Sequence, residues 1–434
     1  MWDLALTYKM PNQSDISVRV DGIDPSVAIE NPSNASELSS RLGKSSAEGH
    51  VVIPIGGGTR LQVGGTPSKY DVALKIGKLN SIVSHNPADL TCTVEAGITL
   101  ENLRSVLSEH GQFLAIDSPF PDQATIGGVI ASNAPGFLKW QLAHPRDSVI
   151  GMEVALPNGT LIKSGGQVVK NVSGYDMARL HIGAFGNLGV ITKVSFKLTP
   201  KPVREATLDI EFDEISRAYD FAQEVYKSYV MPLSLICSHD FQKSSSGCKS
   251  LVRIGGRERS LKRQIDLIRE IGKRNHSTNI EIMEQPESDR LWIDVLNQSV
   301  KGVDREEYIK INTRSSCTPS EVEHAVRLIR SSLENTGCLL SINSEPGFGA
   351  IFCNISFPGT KLRDESIGLI RKVRESLHEI ESWLIVEDLP TEWKSGLDVW
   401  DRDQISSIGL MESLKATYDP DSVLNPGRFV TFQS

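Results

Sequence analysis

The chain has 434 residues, a formal net charge of −8, and 39% hydrophobic against 23% charged content. That is the composition of an ordinary globular protein with apolar residues enough for two or three domains. The acidic balance, with no basic cluster interleaved with aromatics, excludes a nucleic-acid surface. The six cysteines (92, 237, 248, 317, 338 and 353) form no C-x-x-C pair, which excludes a disulfide framework, a thiolate zinc site and a cysteine-ligated cluster.

Residues 1–15, MWDLALTYKMPNQSD, have no long apolar core behind a basic start, so no signal peptide is expected. No run approaches the roughly 20 apolar residues of a membrane span. The expected location is cytoplasmic, with membrane association only through partners. Residues 33–49 predict a capped amphipathic helix. HVVIPIGGGT, DVALKI and LTCTVEAG read as strands punctuated by glycine. TLENLRSVLSEHG predicts a helix: Leu100, Leu103, Val106 and Leu107 share a face, Thr99 caps the start and Gly111 the end. Pro157-Asn158-Gly159 predicts a hairpin turn between two apolar strands.

Two prolines and mixed charges in TPKPVREA (199–206) mark a domain boundary. Beyond it the periodicity is α+β. Strands are expected at TLDIEF, SLICSH, SLVRIGG, EYIKINTR and AIFCNISF, and helices at EISRAYDFAQEVYKS, RSLKRQIDLIREIGKR, SEVEHAVRLIRSSLENTG and ESIGLIRKVRESLHEI. The tail from Gly396 reads as one helix followed by a proline-punctuated loop.

Three small-residue segments stand out. PIGGGTRL (54–61) follows a strand, and consecutive glycines there can turn several N–H groups toward an anion; neither P-loop nor Rossmann spacing is present. SPFPDQATIGGVIASNAPG (118–136) would let a flat ligand lie against the main chain, with Asn133 able to hydrogen-bond a heterocycle edge. KNVSGYDMARLHIGAFGNLGVIT (170–192) spaces Gly183, Gly186 and Gly189 three apart before a β-branched run. Tight turns and close strand packing explain each alone equally well. Together they describe one long cleft for a ligand with a diphosphate middle and two flat ends.

In this order the segments resemble the successive signatures of the FAD-binding family of vanillyl-alcohol oxidase and p-cresol methylhydroxylase (PCMH). VVKNVSGYD and the ending LDVW…LMESLKATYDPDSVLNPGRF are similar to the FAD-binding subunits of glycolate oxidase (the GlcE type). The resemblance implies an α+β fold: a two-subdomain PCMH-type FAD-binding domain over 1–205, an α+β cap over 206–395, and a segment, 396–434, returning to the FAD domain. It implies that Pro54, Ile55, Gly56, Gly57, Gly58 and Thr59 hold the pyrophosphate. Pro119, Thr125, Ile126, Gly127, Gly128, Ala131, Ser132 and Asn133 would line the flavin side. Gly189, Val190 and Ile191 would touch FAD through the main chain, and Asn425 would reach it from the tail. Many relatives attach FAD through a histidine in the first loop; Thr59 stands there, so non-covalent FAD is expected.

The resemblance further implies oxidation of glycolate or a related D-2-hydroxyacid, with a larger flavin subunit and an iron–sulfur subunit as partners. A self-sufficient FAD dehydrogenase and a non-catalytic assembly subunit stay open beside it. No catalytic residue follows. SINSEPGFGAIFCNI (341–355) offers Ser344 and Glu345 but none of the metal-binding histidines of active relatives. His239, His276, His324 and His378 stand alone and read as packing or surface residues. Arg146-Asp147 reads as a structural ion pair, Tyr175-Asp176 as a loop fixture, and Lys170 as a surface lysine with a place beside a flavin carbonyl as the alternative.

Overall fold

Short apolar runs ended by glycine become strands, and 3.6-period runs with a capping residue become helices. In the computed structural model, which describes residues 18–138, 144–166, 175–241, 247–301 and 307–429, the first half forms β1 (Ala28–Glu30), α1 (Ala35–Ala47), β2 (Val52–Ile55), β3 (Val72–Lys75), β4 (Ile82–Asn86), β5 (Thr91–Glu95), α2 (Leu100–Glu109), β6 (Gln112–Phe113), α3 (Ile126–Ser132), α4 (Pro145–Ser148), β7 (Val149–Ala155), β8 (Leu161–Gly165), α5 (Ala178–His181), β9 (Val190–Lys197) and β10 (Thr199–Pro200). Residues 1–15 and Lys170, discussed above, lie outside the described residues.

Both early helix expectations hold. Asn34 Oδ1 accepts from Glu37 N to start α1, and Thr99 Oγ1 accepts from Asn102 N to start α2. Gly111, just past α2, takes the left-handed φ of +64° that ends a helix cheaply. The hairpin at Asn158-Gly159 joins β7 to β8 with Ala155 opposite Leu161.

These elements build a parallel sheet in the order β1-β3-β2, an antiparallel sheet in the order β4-β5-β9-β7-β8, and the short pair β10-β6. One apolar cluster, from Leu38 on α1 through Leu103 on α2 and Ile130 on α3 to Val194 on β9, joins the two larger sheets.

The second half forms β11 (Arg204–Phe212), α6 (Ile215–Lys227), β12 (Pro232–Asp240), β13 (Gly247–Gly256), α7 (Glu258–Arg274), β14 (Asn279–Glu284), α8 (Glu287–Lys301), β15 (Tyr308–Ser316), α9 (Val322–Leu333), β16 (Leu339–Glu345), β17 (Ala350–Pro358), α10 (Arg363–His378) and β18 (Trp383–Asp388). The strands make one antiparallel sheet in the order β14-β11-β13-β12-β16-β17-β15-β18. Strand alternation sorts its two faces. Leu235, Val252 and Cys353 pack under α6, α7, α9 and α10. Ile236, Leu251 and Phe352 face the other way, onto Trp292, Val295 and Leu296 of α8 and onto Phe137 from the first half. Thus α8 and Phe137 together join the cap sheet to the other half of the molecule.

The tail forms α11 (Ile408–Tyr418) after two 3-10 turns, and then returns. Leu424 bridges Val52 in parallel, extending the small sheet beyond β2. Lys415 locks this return. Its buried ammonium donates to Asn187 O, to Leu424 O and to the Asp419 carboxylate. No described helix is long and apolar enough to cross a membrane. All six cysteines are free thiols.

Removing one partner of a buried pair leaves the other charge stranded. Lys415→Met is therefore expected to cost about 3–5 kcal/mol, read as a lowered thermal midpoint. A midpoint equal to the parent's would show that the Lys415 contacts do not hold the tail.

Candidate functional site

The first glycine loop leaves β2 at its C-terminal end. Pro54, Gly56, Gly57, Gly58 and Thr59 line a pocket together with Thr125, Gly128, Ala131, Ser132 and Asn425. Those ten of the expected residues are brought together. Ile53, Arg60, Leu61, Phe185 and Arg428, not among the expected residues, complete the wall.

The 125–133 stretch, read as small residues against which a flat ligand could lie, is mostly the helix α3. Thr125 caps it by accepting from Gly128 N, and Ser132 Oγ donates back to Gly128 O. The bare face of Gly57 is also spent within the protein. A Cβ there would stand 1.8 Å from Gln123 O, and one on Gly56 would stand 2.2 Å from Thr125 Oγ1. The loop is seated against the approach to α3, so close packing within the protein is one reason that Gly57 carries no side chain. Gly186 similarly brings its backbone to Pro54 and Asn425, whose Nδ2 donates to Phe185 O.

The remaining expected residues lie elsewhere. Ile55 and Ile126 are fully buried in the core. Gly127 packs on Ala96 and donates its N–H to Ala96 O. Pro119 is buried in the preceding loop. Gly189 packs against Val154, while Val190 and Ile191 pair with Ala155 and Val154 in the antiparallel sheet. None of these lines either cavity described here.

Asn133 lines a second cavity, of about 310 Å³, between the two halves. The pocket and the cavity lie on either side of the end of α3: Ala131 and Ser132 line the first, and Asn133 and Ala134 the second. Asn133 makes the bend with a left-handed φ of +42°. Asp117 and His144 come from the first half; Arg314, Ser315, Phe348, Phe352 and Trp383 come from the cap. Asp117 accepts from the N–H groups of Phe137 and Leu138, and His144 meets the Phe348 ring edge-on at 6.0 Å.

A buried ion cluster joins the two spaces. Arg60 Nη2 lies 2.9 Å and Arg314 Nε 3.2 Å from the same oxygen, Glu387 Oε1. Glu387 occupies a β-bulge: β15 pairs Asn312 with Asp388 and then Thr313 with Val386, so Glu387 is the extra residue. Burial would raise its pKa, but the two arginines outweigh burial and hold it below the usual carboxylate value. Burial pushes the Arg314 guanidinium down, against the pull of Glu387.

The other singled-out groups lie away from this cleft. Ser344 is fully buried in the cap core, hydrogen-bonded to Tyr219 and to Cys237 O, and Glu345 is buried beside it. His239 stacks between Tyr219 and Phe241, and burial pushes it down to about 3. His324 pairs with Glu321 on the surface, and His378 with Asp401. Asp176 pairs with Arg179, Tyr175 is exposed, and Arg146 lies 3.8 Å from Asp147 at the surface.

The sequence reading overlooked His181. It is buried, both ring nitrogens lack partners among the described residues, its ring meets Tyr418 edge-on, and burial pushes it down to about 4. The folded protein keeps it neutral, whereas the unfolded chain protonates it near 6.5. Stability is therefore lost as pH falls from about 6.5 toward about 4. His181→Phe is expected to remove about 2 kcal/mol of the loss between pH 7 and 5, measured by denaturation at both pH values. Parallel pH profiles for parent and variant would show His181 to be charged or solvated in the native state.

Comparison with known proteins agrees with this geometry. Residues 27–165 match the model of an FAD binding domain. The chain is 26% identical to glycolate oxidase subunit GlcD of Bacillus subtilis (strain 168), covering 92% of this chain and 88% of that one. It is 32% identical to glycolate oxidase subunit GlcE of Escherichia coli (strain K12) over 37% of this chain and 45% of that one. The solved structure of p-cresol methylhydroxylase superposes with a TM-score of 0.71 at 15% identity, covering 95% of this chain and 91% of that one.

The residues present fit the dinucleotide. A glycine loop lines one pocket, a cavity between the halves begins at the next residue of the chain after Ser132, and the buried Arg60 Nε and Asn425 Oδ1 have no partner among the described residues.

Because Gly57 seats the loop, Gly57→Ala is expected to lower both the flavin-to-protein ratio and the thermal midpoint. Full flavin content at an unchanged midpoint would contradict the 1.8 Å approach.

On this evidence residues 27–165 are an FAD binding domain, and the chain is an FAD-dependent oxidoreductase with the fold of p-cresol methylhydroxylase.

Proposed function

We propose that this chain oxidises a small 2-hydroxyacid, glycolate or a related D-2-hydroxyacid, in the cavity between its halves, with FAD held non-covalently along the glycine loop and α3. The observation that carries the reading is Arg314. It lines the cavity, its only carboxylate contact among the described residues is through Nε, and its two terminal nitrogens bond no described group. A cation so placed suits a carboxylate. We take 18–205 with 396–429 as the FAD-binding unit and 206–395 as the cap.

Bound FAD supplies the two-electron acceptor. Arg314 holds and orients the substrate carboxylate. Removing hydride from the carbon that bears the hydroxyl also requires a group to take the hydroxyl proton. His144 is the imidazole on the cavity wall and fills that role. Phe348, Phe352 and Trp383 exclude water from the rest of the space. Ser344 and Glu345, buried in the cap core, take no part. Relatives named as subunits of glycolate oxidase support a multi-subunit assembly; the partner chains we propose as electron acceptors are a larger flavin subunit and an iron–sulfur subunit.

Neither histidine nor cysteine lines the glycine-loop pocket. Acid precipitation is therefore expected to leave the yellow colour in the supernatant; flavin in the pellet would show a covalent link. Anaerobic mixing with glycolate and with D-lactate is expected to bleach the oxidised flavin band with at least one of them. Arg314→Met is expected to raise the half-saturating concentration by roughly 10–100-fold, the worth of a charged hydrogen bond. An oxidised spectrum with both acids would overturn the proposal.

A further inference from the structure

The cavity's charge does not come from its own wall alone. Arg314 and Asp117 line it, and Glu387 touches Arg314 from behind. Taken by themselves these three sum to one negative charge, an unfavourable place for a carboxylate. The fourth member is Arg60, a residue of the glycine loop that lines the cofactor pocket and not the cavity. Its guanidinium lies on the same Glu387 oxygen that Arg314 uses, with side-chain exposures of 9% for Arg60 and 5% for Glu387. Water therefore does little to screen Arg60 from Glu387. Asp117 spends its carboxylate on two backbone N–H groups of the 137–138 turn, so its charge is dispersed toward the protein. With Arg60 in place the four charges balance, and Arg314 keeps its terminal nitrogens for an incoming anion. Without Arg60, Glu387 has only Arg314 to pair with.

We infer that Arg60 is a positioning residue that sets the cavity's affinity for carboxylates: it occupies Glu387 from the cofactor side and so leaves Arg314 free for the substrate. The inference rests on the reading of Arg314 as the carboxylate site. It makes the FAD loop and the substrate cavity two ends of one electrostatic unit, coupled through a single carboxylate on a bulge.

The test is a charge cycle on the FAD-loaded protein, with oxalate as the probe. Binding is followed by perturbation of the flavin absorbance and by calorimetry, so that no turnover is needed. Arg60→Met is expected to weaken oxalate by roughly 10–100-fold, the scale of one unit charge in a poorly screened site. Arg60→Lys keeps the charge and is expected to stay within a few-fold of the parent. Glu387→Gln is expected to bind oxalate at least as tightly as the parent. The double variant Arg60→Met/Glu387→Gln is expected to recover most of what Arg60→Met loses, because a neutral residue 387 no longer competes for Arg314. Should Arg60→Met lose FAD or fail to fold, the Lys and Gln variants still decide. An Arg60→Met variant that binds like the parent, a double variant as weak as Arg60→Met, or a Glu387→Gln variant weakened tenfold would each overturn the inference. Failure of hydroxyacids to bleach the flavin while oxalate follows this cycle would instead refute the proposed reaction and leave the electrostatic coupling standing.

Discussion

Much of this molecule turns on an extra residue in one strand. In a regular antiparallel pair the side chains alternate between faces, and Glu387 would be carried along with its neighbours. The bulge opposite Asn312 and Thr313 breaks that alternation and re-aims one carboxylate. It thereby reaches Arg314 on the adjacent strand and Arg60 on the other half of the molecule. Burying an ion pair of this kind is no cheap source of stability, since desolvation offsets most of the Coulomb gain. Its value lies in geometry. It fixes where the edge of the cap sheet stands relative to the glycine loop, and hence the size of the space between.

The glycine loop needs an equally strict arrangement on its own side. It is held by close approach of bare backbone, with Gly57 on the Gln123 main chain, Gly186 on the side chains of Pro54 and Asn425, and Gly127 on Ala96. A Cβ on Gly57 would stand 1.8 Å from Gln123 O and one on Gly127 2.7 Å from the Ala96 Cβ, so the loop keeps its place only while these positions stay bare. The tail completes this frame. Leu424 extends the parallel sheet beside β2, and Lys415 ties it to Asn187 in the third glycine-rich segment. All three small-residue segments and the C-terminal return thus converge on one groove, with α3 running along it.

This explains which parts were legible in the sequence. Glycines in tandem and a Thr or Asn before an apolar period are local signals, so α1, α2, the hairpin and ten lining residues could be read directly. The helix α8 carried its signal too, since Trp292, Val295, Leu296 and Ser299 follow the i, i+3, i+4, i+7 spacing, but its Asp and Arg residues obscured it. The strand β14, NIEIME, is mixed in polarity, and its neighbours make it a strand; β18 carries an apolar run, Trp383 to Val386, too short by itself to separate strand from helix. Arg60, Arg314 and Glu387 were invisible for a different reason. A charged residue is by default a solvated one, and nothing in EYIKINTR or WLIVED announces that the two strands meet at a bulge. His181 was hidden in the same way: its ring meets Tyr418 of the C-terminal helix, a contact between segments distant in sequence.

Placing the deciding charges on three separate elements has a consequence for how the site can change. The glycine loop, β15 and β18 each contribute one member, and the cap sheet holds two of them on neighbouring strands in fixed register. A substitution in the cavity wall alters one contact with the substrate. A substitution at Arg60 alters the charge felt at Arg314 without touching the wall, because Glu387 redistributes between its two partners. Cofactor binding and substrate binding therefore need not be carried by independent sets of residues, even though they occupy different spaces. A loop built to hold one ligand can set the affinity for the other, provided the carboxylate between them stays buried and water is kept from screening it.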